Sequence, residues 1–265
     1  MIDLNMSGAK GFVWLVGAGP GAADLITLRG HQLLQAAEAV VCDELVNKEL
    51  LRLCPPGCEV HLVGKRAGSH SATQPEISTL LVALAAAGKK VVRLKGGDPL
   101  IFGRAGEEMQ ALREAGIGFA IVPGVTAATA AGACAGLPLT HRDHSSAVVF
   151  VTGHQCAANT DVLDWGALAR LRATLCFYMG VRRLPEIARN LRHHGMPAGM
   201  PLALVSEATL PAQQIHLGTL GDAEKLSAGL AGQPALVVIG EVVRLSTFAA
   251  GLPQLHAQAL KPDRL

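Results

Sequence analysis

Val91-Val92-Arg93-Leu94-Lys95-Gly96-Gly97-Asp98-Pro99-Leu100-Ile101-Phe102-Gly103-Arg104 is the stretch whose reading decides the fold. An apolar run stops at two glycines, turns at Asp-Pro and leads into a helical pattern over Arg104–Ala115. Strand, turn and helix in that order belong to an α/β protein, and bare glycine backbone at a strand end lets a ligand come close. A second glycine-rich turn, Gly17-Ala18-Gly19-Pro20-Gly21, also follows an apolar run, Phe12 to Val16. Two such turns at the ends of different strands predict one ligand crevice shared by both.

Outward from these turns, strands alternate with helices. Phe12–Gly17, Ala39–Cys42 (ending at Asp43), Glu59–Val63, Lys90–Leu94 and Gly118–Val122 read as strands. Asp24–Ala37 reads as a helix with Leu25, Leu28, Leu33 and Leu34 on its apolar side, and Asn47–Leu53 as a short one. Thr73-Gln74-Pro75-Glu76 is a capping box opening a further helix, which Gly88 closes. Short strands with helical crossovers imply a mostly parallel sheet covered on both faces.

Pro123–Ser145 breaks the rhythm with Gly, Ala, Thr and Pro, and reads as a small-residue helix followed by a linker. Beyond it, strands are predicted at Ala147–Thr152, Thr174–Met179, Leu202–Ser206, Gln213–Leu217 and Ala235–Ile239. Helices are predicted near Val162–Ala169, Arg182–His194 and Ala223–Leu230. Gln214-Ile215-His216-Leu217 alternates polar with apolar, as a half-exposed antiparallel strand does. The expected organisation is an N-terminal α/β domain over 11–136, a linker over 137–146, a mixed C-terminal α/β domain over 147–246 and a tail over 247–265.

Composition bounds the function. The 265 residues are 50% hydrophobic but only 3% aromatic, with 30 glycines, which suits helices packed closely on a buried sheet. A formal charge of +2 predicts neither a nucleic-acid footprint nor a polybasic membrane patch. No apolar run approaches the ~20 residues that span a bilayer. Met1–Lys10 lacks the apolar core of a signal peptide, and six scattered cysteines suit reduced thiols, so a cytoplasmic location is expected. Cys54-Pro55-Pro56-Gly57-Cys58 has no second Cys/His pair at a zinc spacing and reads as a turn, so no metal is expected.

Gly17-x-Gly19-x-x-Ala22 after a strand, with Asp43 ending the next strand, meets the local terms of a dinucleotide fingerprint. Pro20 removes one N–H from the turn that would cradle a pyrophosphate, and the fingerprint leaves the Gly96–Pro99 turn unexplained. A dinucleotide-dependent oxidoreductase is therefore the competing class.

The whole motif set resembles the tetrapyrrole methylases, from about Val13 to Leu245. The resemblance rests on Val16–Gly21, Asp43-Glu44-Leu45-Val46, Gly64-Lys65-Arg66 and Leu94–Pro99. It continues through Phe102-Gly103-Arg104, Val122–Ala127, Gly136–Arg142, Thr152-Gly153-His154, Tyr178-Met179 and Gly240–Val243. The Gly-Lys-Arg, Phe-Gly-Arg and Pro-Leu-Thr-His-Arg segments are similar to those of members acting on uroporphyrinogen III. Three positions depart from the pattern: Ala22-Ala23-Asp24 after the first turn, Ala105 after Arg104, and the loosely matching Ser206-Glu207-Ala208-Thr209.

The resemblance implies two methyl transfers from S-adenosylmethionine to pyrrole carbons of uroporphyrinogen III, at C-2 and C-7. The route runs through precorrin-1 to precorrin-2, toward sirohaem, cobalamin or haem d1, in a homodimer. Another precorrin methylase is the alternative within the family. The implied cofactor contacts are Pro20, Gly96, Gly97, Asp98, Ile101, Thr126, Ala127, Met179 and Ala208. Asp98 either faces the cationic end of the cofactor or fixes its turn, and Met179 on general grounds is core. Asp43 is the implied proton acceptor, though it equally suits a helix cap, and Lys65 the implied donor. Arg104 is placed with them in the catalytic set. The substrate's carboxylates would meet Arg66 and Arg142, with Glu107 and His154 beside them. Each of these arginines is otherwise a solvated charge, and His154 otherwise a structural histidine. His141 and His144 carry no assignment.

Overall fold

The computed structural model describes residues 11–64, 72–153, 163–230 and 233–249. The chain divides into two compact units that meet between Thr126 and Ala127.

The first unit holds strands β1 (Phe12–Gly17), β2 (Ala39–Asp43), β3 (Glu59–Val63), β4 (Lys90–Lys95) and β5 (Gly118–Val122). They form one sheet in the order β3-β2-β4-β1-β5, and every pairing is parallel. Its helices are α1 (Leu28–Gln35), α2 (Gln74–Ala86) and α3 (Ala105–Glu114). The period of two along each strand sends alternate residues to opposite layers. Val13, Leu15, Val41 and Val91 pack with Ile77, Leu81 and Leu112 of α2 and α3, whereas Trp14, Val16, Val40 and Val92 pack with Leu33 and Leu34 of α1. The expected capping box is present, with Thr73 N donating to Glu76 Oε2 at 2.6 Å, and Gly88 takes the left-handed conformation after α2.

Two expected helices differ from prediction. Instead of one helix over Asp24–Ala37, a single 3₁₀ turn at Ala23–Leu25 is followed by extended Ile26 and Thr27. Thr27 Oγ1 then accepts from Gly30 N at 3.1 Å and starts α1. A β-branched pair ending in a good cap residue favours this late start. Lys48–Leu53 is 3₁₀ rather than α-helix, capped by Asn47.

The second unit opens with α4 (Ala127–Cys134), followed by β6 (Val148–Thr152), α5 (Trp165–Arg170) and β7 (Thr174–Tyr178). It continues with α6 (Leu184–His193), β8 (Pro201–Ser206), β9 (Gln214–Thr219), α7 (Ala223–Ala228) and β10 (Ala235–Ile239). The strand order is β6-β7-β10-β8-β9, with β6 and β7 parallel and the remaining pairs antiparallel, so the sheet is mixed. β9 is its antiparallel edge, as the alternation from Gln214 predicts. Ala128, Ala131 and Ala135 pack against Cys176, Ala203 and Val238 of this sheet. The division between units therefore falls before α4, whereas the sequence expectation put it at 136. Among the described residues no helix is long and apolar enough to cross a membrane.

Candidate active site

In an all-parallel sheet the C-terminal strand ends share one edge, where loops build ligand sites. β4, β1 and β5 are neighbours, so the turns after them meet. Gly97 N donates to Gly19 O at 2.7 Å, Gly19 N donates back to Gly97 O at 3.3 Å, and Ala18 N donates to Lys95 O at 2.8 Å. A Cβ on Gly124 would stand 2.2 Å from Gly97 O and 2.8 Å from Gly17 Cα. Gly17 and Gly124 are thus required by contact among the turns themselves, and Gly97 takes the left-handed conformation at φ 67°. The two predicted turns meet in a knot of backbone.

Asp98 ties the knot. Its Oδ1 accepts from Leu100 N at 2.8 Å and its Oδ2 from Gly124 N at 3.0 Å. Both carboxylate oxygens therefore take part in fixing the turns.

Gly96 differs from its neighbours. It is exposed, and among the described residues the nearest atom to a Cβ built on it is Leu45 Cβ at 4.0 Å. Backbone is bare here, and among the described residues nothing stands closer in front of it. Leu45, Leu100 and Phe102, in the loops after β2 and β4, are exposed apolar side chains. Ile101 is half-buried, with its N–H on Asp98 O. Pro20 and Thr126 are half-buried in the turns after β1 and β5.

The backbone carries a second sign. Among the described residues the non-glycine positions with positive φ are Phe102 (52°), Arg104 (57°), Met179 (54°), Glu207 (47°) and Thr209 (73°). Each costs of order 1 kcal/mol or more, and such residues concentrate at functional sites. All of them fall in segments expected to touch cofactor or substrate, and Glu207 and Thr209 flank Ala208.

Asp43 ends β2 partly exposed, and its Oδ1 accepts from Arg93 Nη2 at 2.5 Å. It caps no helix, because Asn47 Oδ1 takes that place for the following 3₁₀ turn. Arg104, left-handed at the cap of α3, makes a two-pronged pair with Glu107, Nε to Oε1 at 2.7 Å and Nη2 to Oε2 at 2.8 Å. That hydrogen bonding holds the Glu107 carboxyl below its ordinary range. Both side chains are exposed. Lys65, Arg66 and His154 lie outside the described residues.

In the second unit β7 and β8 both run antiparallel to β10, so their C-terminal ends share an edge. Met179 and Ala208 follow those ends, and Met179 is 57% exposed, so it is not core. Ala128 N donates to Tyr178 Oη at 3.1 Å, which fixes the Ala127 end of α4 beside the same strand end. Arg142 is exposed in the turn closed by His141 and Ser145. Thr174 Oγ1 donates to Ser145 Oγ at 3.0 Å, so this turn is anchored at the start of β7. Within this unit Arg142 is not brought to the edge holding Met179 and Ala208.

A buried ionic cluster was not anticipated. Arg93, Lys95 and Glu108 are 1%, 2% and 0% exposed. Glu108 Oε1 receives Gln74 Nε2 at 3.1 Å, Arg93 Nε at 3.0 Å and Lys95 Nζ at 2.9 Å. Burial draws the Arg93 guanidinium down, but Asp43 and Glu108 outweigh it and its pKa ends raised. Burial and repulsion from Arg93 leave the Lys95 ammonium below its ordinary value. The signal was periodic: Val91, Arg93 and Lys95 alternate onto the face beneath α2 and α3, and Glu108 shares the inward stripe of Ala105 and Leu112.

The dinucleotide alternative fails on the first turn. β4 lies between β1 and β2, and the first α-helix after Gly19 starts only at Leu28. No α-helix N-terminus opens at the glycines to receive a pyrophosphate.

The geometry defines an α/β protein with glycine turns and strained loops at its strand ends. The sequence profile of the Tetrapyrrole (Corrin/Porphyrin) Methylases matches residues 13–224, and the chain belongs to that family. Siroheme synthase 1 of Pectobacterium atrosepticum is 55% identical over 237 residues, 89% of this chain and 49% of that protein. Siroheme synthase 1 of Yersinia pseudotuberculosis is 53% identical over 247 residues, 92% of this chain and 52% of that protein. The chain thus spans about half the length of these curated relatives. The crystal structure of uroporphyrin-III C-methyl transferase from Thermus thermophilus complexed with S-adenyl homocysteine is similar at 39% identity and a TM-score of 0.77, covering 89% of this chain and 100% of that one.

Proposed function

We propose that this chain methylates uroporphyrinogen III at C-2 and C-7, through precorrin-1 to precorrin-2, with S-adenosylmethionine as donor and S-adenosylhomocysteine released. The observation that carries the reading is the open Gly96 backbone at the knotted glycine turns, in a chain 39% identical over its matched length to a uroporphyrin-III C-methyl transferase. When bound, S-adenosylmethionine supplies a methyl group whose bond to sulfur breaks, the electron pair staying on sulfur, as a bond to a pyrrole carbon forms. A sulfonium is already activated, so the transfer calls for no metal and no covalent nucleophile.

The chain's own residues then have limited tasks. Gly96 and Gly97, with Pro20, Asp98, Ile101, Thr126, Ala127, Met179 and Ala208, hold the donor, at about 3–3.5 Å from the accepting carbon. Asp43 accepts the proton that the methylated macrocycle loses, and Lys65 donates where one is needed. Arg104 with Glu107, together with Arg66, Arg142 and His154, meets the substrate's carboxylates. We infer further a homodimer in the cytoplasm, serving sirohaem, cobalamin or haem d1 synthesis. The free state of the described cysteines supports a reducing location.

Anaerobic incubation with uroporphyrinogen III and methyl-labelled S-adenosylmethionine tests the reading. The expected product is a macrocycle carrying two labelled methyl groups. Label retained entirely on the donor overturns it.

A further inference from the structure

Asp43 holds its place at the end of β2 by a device that lies wholly behind it. The Arg93 guanidinium uses all three nitrogens: Nη2 on Asp43 Oδ1 at 2.5 Å, Nε on Glu108 Oε1 at 3.0 Å, and Nη1 on the carbonyls of Val41 at 3.3 Å and Leu94 at 3.4 Å. Val41 is also its register partner across β2 and β4. The fork is thus clamped to both strands and to α3, and its one bond toward the partly exposed edge is the one to Asp43. Lys95 and Gln74 converge on the same Glu108 oxygen, while Glu108 Oε2 has no hydrogen-bond partner among the described residues.

A buried ion cluster is a poor way to gain stability, since desolvation cancels much of its attraction and an apolar replacement often does as well. This one spans three elements and ends on the carboxylate at the mouth of the site. We propose that Arg93 is a positioning residue for methyl transfer, oriented by Glu108, which sets the Asp43 carboxylate at the angle required to take the macrocycle's proton. The proposal rests on the reading of Asp43 as that acceptor. In the step itself a carbon–hydrogen bond of the methylated, positively charged macrocycle breaks, its electron pair forms a double bond that neutralises the charge, and the proton passes to Asp43. Arg93 neither gains nor loses a proton, and it acts through the Asp43 carboxylate rather than on the macrocycle or the donor.

The test is a double-mutant cycle on the full chain, with turnover per folded molecule read against KM for uroporphyrinogen III and affinity for S-adenosylhomocysteine. Arg93→Lys keeps the charge but replaces a planar fork by a point. It should lower kcat at least tenfold, with KM and S-adenosylhomocysteine affinity changed less than threefold. In an Asp43→Asn background the same change should cost less than threefold more. Glu108→Gln provides a second entry, because its amide N can occupy the place of the unpartnered Oε2 while its oxygen still receives the three donors. It should show the same non-additivity with a smaller loss, and it serves alone if Arg93→Lys does not fold. Equal kcat losses in both backgrounds, or losses that follow thermal stability alone, overturn the positioning role. Full turnover by Asp43→Asn overturns the acceptor reading instead, so the two failures are told apart.

Discussion

Replacing Gly96 and Gly124 one at a time by alanine separates the two uses of glycine at the strand ends. A methyl on Gly124 would stand 2.2 Å from Gly97 O and 2.8 Å from Gly17 Cα, where real Cβ contacts essentially never fall below 3.0 Å. Both obstacles are backbone, on turns tied together by the Gly19–Gly97 pair at 2.7 and 3.3 Å and by the Asp98–Gly124 bond at 3.0 Å. Neither can yield without parting the turns. Overpacking of this kind costs about 1–3 kcal/mol, and losing one charge-assisted hydrogen bond adds about 1.5 kcal/mol. Gly124→Ala should therefore lose roughly 2.5–4.5 kcal/mol, a fall in Tm of about 5–18 °C for a chain of this size.

Among the described residues Gly96→Ala meets only Leu45 Cβ at 4.0 Å, ordinary contact. Its Tm should hold or rise slightly, because alanine narrows the unfolded ensemble by about 0.4–1 kcal/mol. The methyl instead occupies the space in front of the turn. If donor binding brings a ligand against this backbone, an overlap worth about 1.5–3 kcal/mol weakens S-adenosylhomocysteine roughly 10- to 100-fold. Differential scanning calorimetry and titration calorimetry on the same preparations read both effects. Unchanged affinity in Gly96→Ala would refute the placing of the ligand at this turn. An unchanged Tm in Gly124→Ala would refute the knot.

Two further outcomes follow from single side chains. Asp98→Ala removes the acceptor for Leu100 N and Gly124 N and should lower stability by about 2 kcal/mol, with Asp98→Asn losing about half of that; a Tm equal to the parent's in Asp98→Ala would remove Asp98 as the clasp. Burial first, and then neighbouring Cys58, push the Cys54 thiol from 9.0 up to about 12. Thiolate, the reactive form, is gained only as pH rises toward that value, so at pH 8 its fraction is roughly a thousandfold below that of an unperturbed thiol. Iodoacetamide labelling of Cys54, followed by peptide mass spectrometry, should be much slower in the folded chain than in urea, and equal rates would contradict the burial.

The parts of this protein that follow from neighbours in sequence were legible, and the parts that follow from distant pairs were not. Both sheets, the parallel pairing of the first and the antiparallel edge at Gln214–Thr219 came from alternation and turn chemistry. The helix at Ala127–Cys134 was legible as a helix but not as a member of the second unit, because an all-small stripe fits either sheet and only its packing on Ala203 and Val238 decides. The start of α1 depended on whether Thr27 capped or continued a helix, a choice settled by one hydrogen bond to Gly30 N.

The buried cluster marks the boundary most sharply. In the sequence, Arg93 and Lys95 look like charges interrupting an apolar strand, and Glu107 and Glu108 are interchangeable acids at a helix start. One helical step, 100° of rotation, sends Glu107 to solvent with Arg104 and Glu108 inward to Arg93 and Lys95. Pattern alone can place a charge on a buried face. It cannot name the partner that makes burial tolerable, and here Arg93 is 50 residues from Asp43 and 15 from Glu108. A buried cation is costly to leave without its partner, so hiding Arg93 and Lys95 constrains Glu108 and Asp43 together. The same long-range pairing that makes the cluster invisible in the linear sequence ties the partly exposed Asp43 carboxylate to the buried face through Arg93.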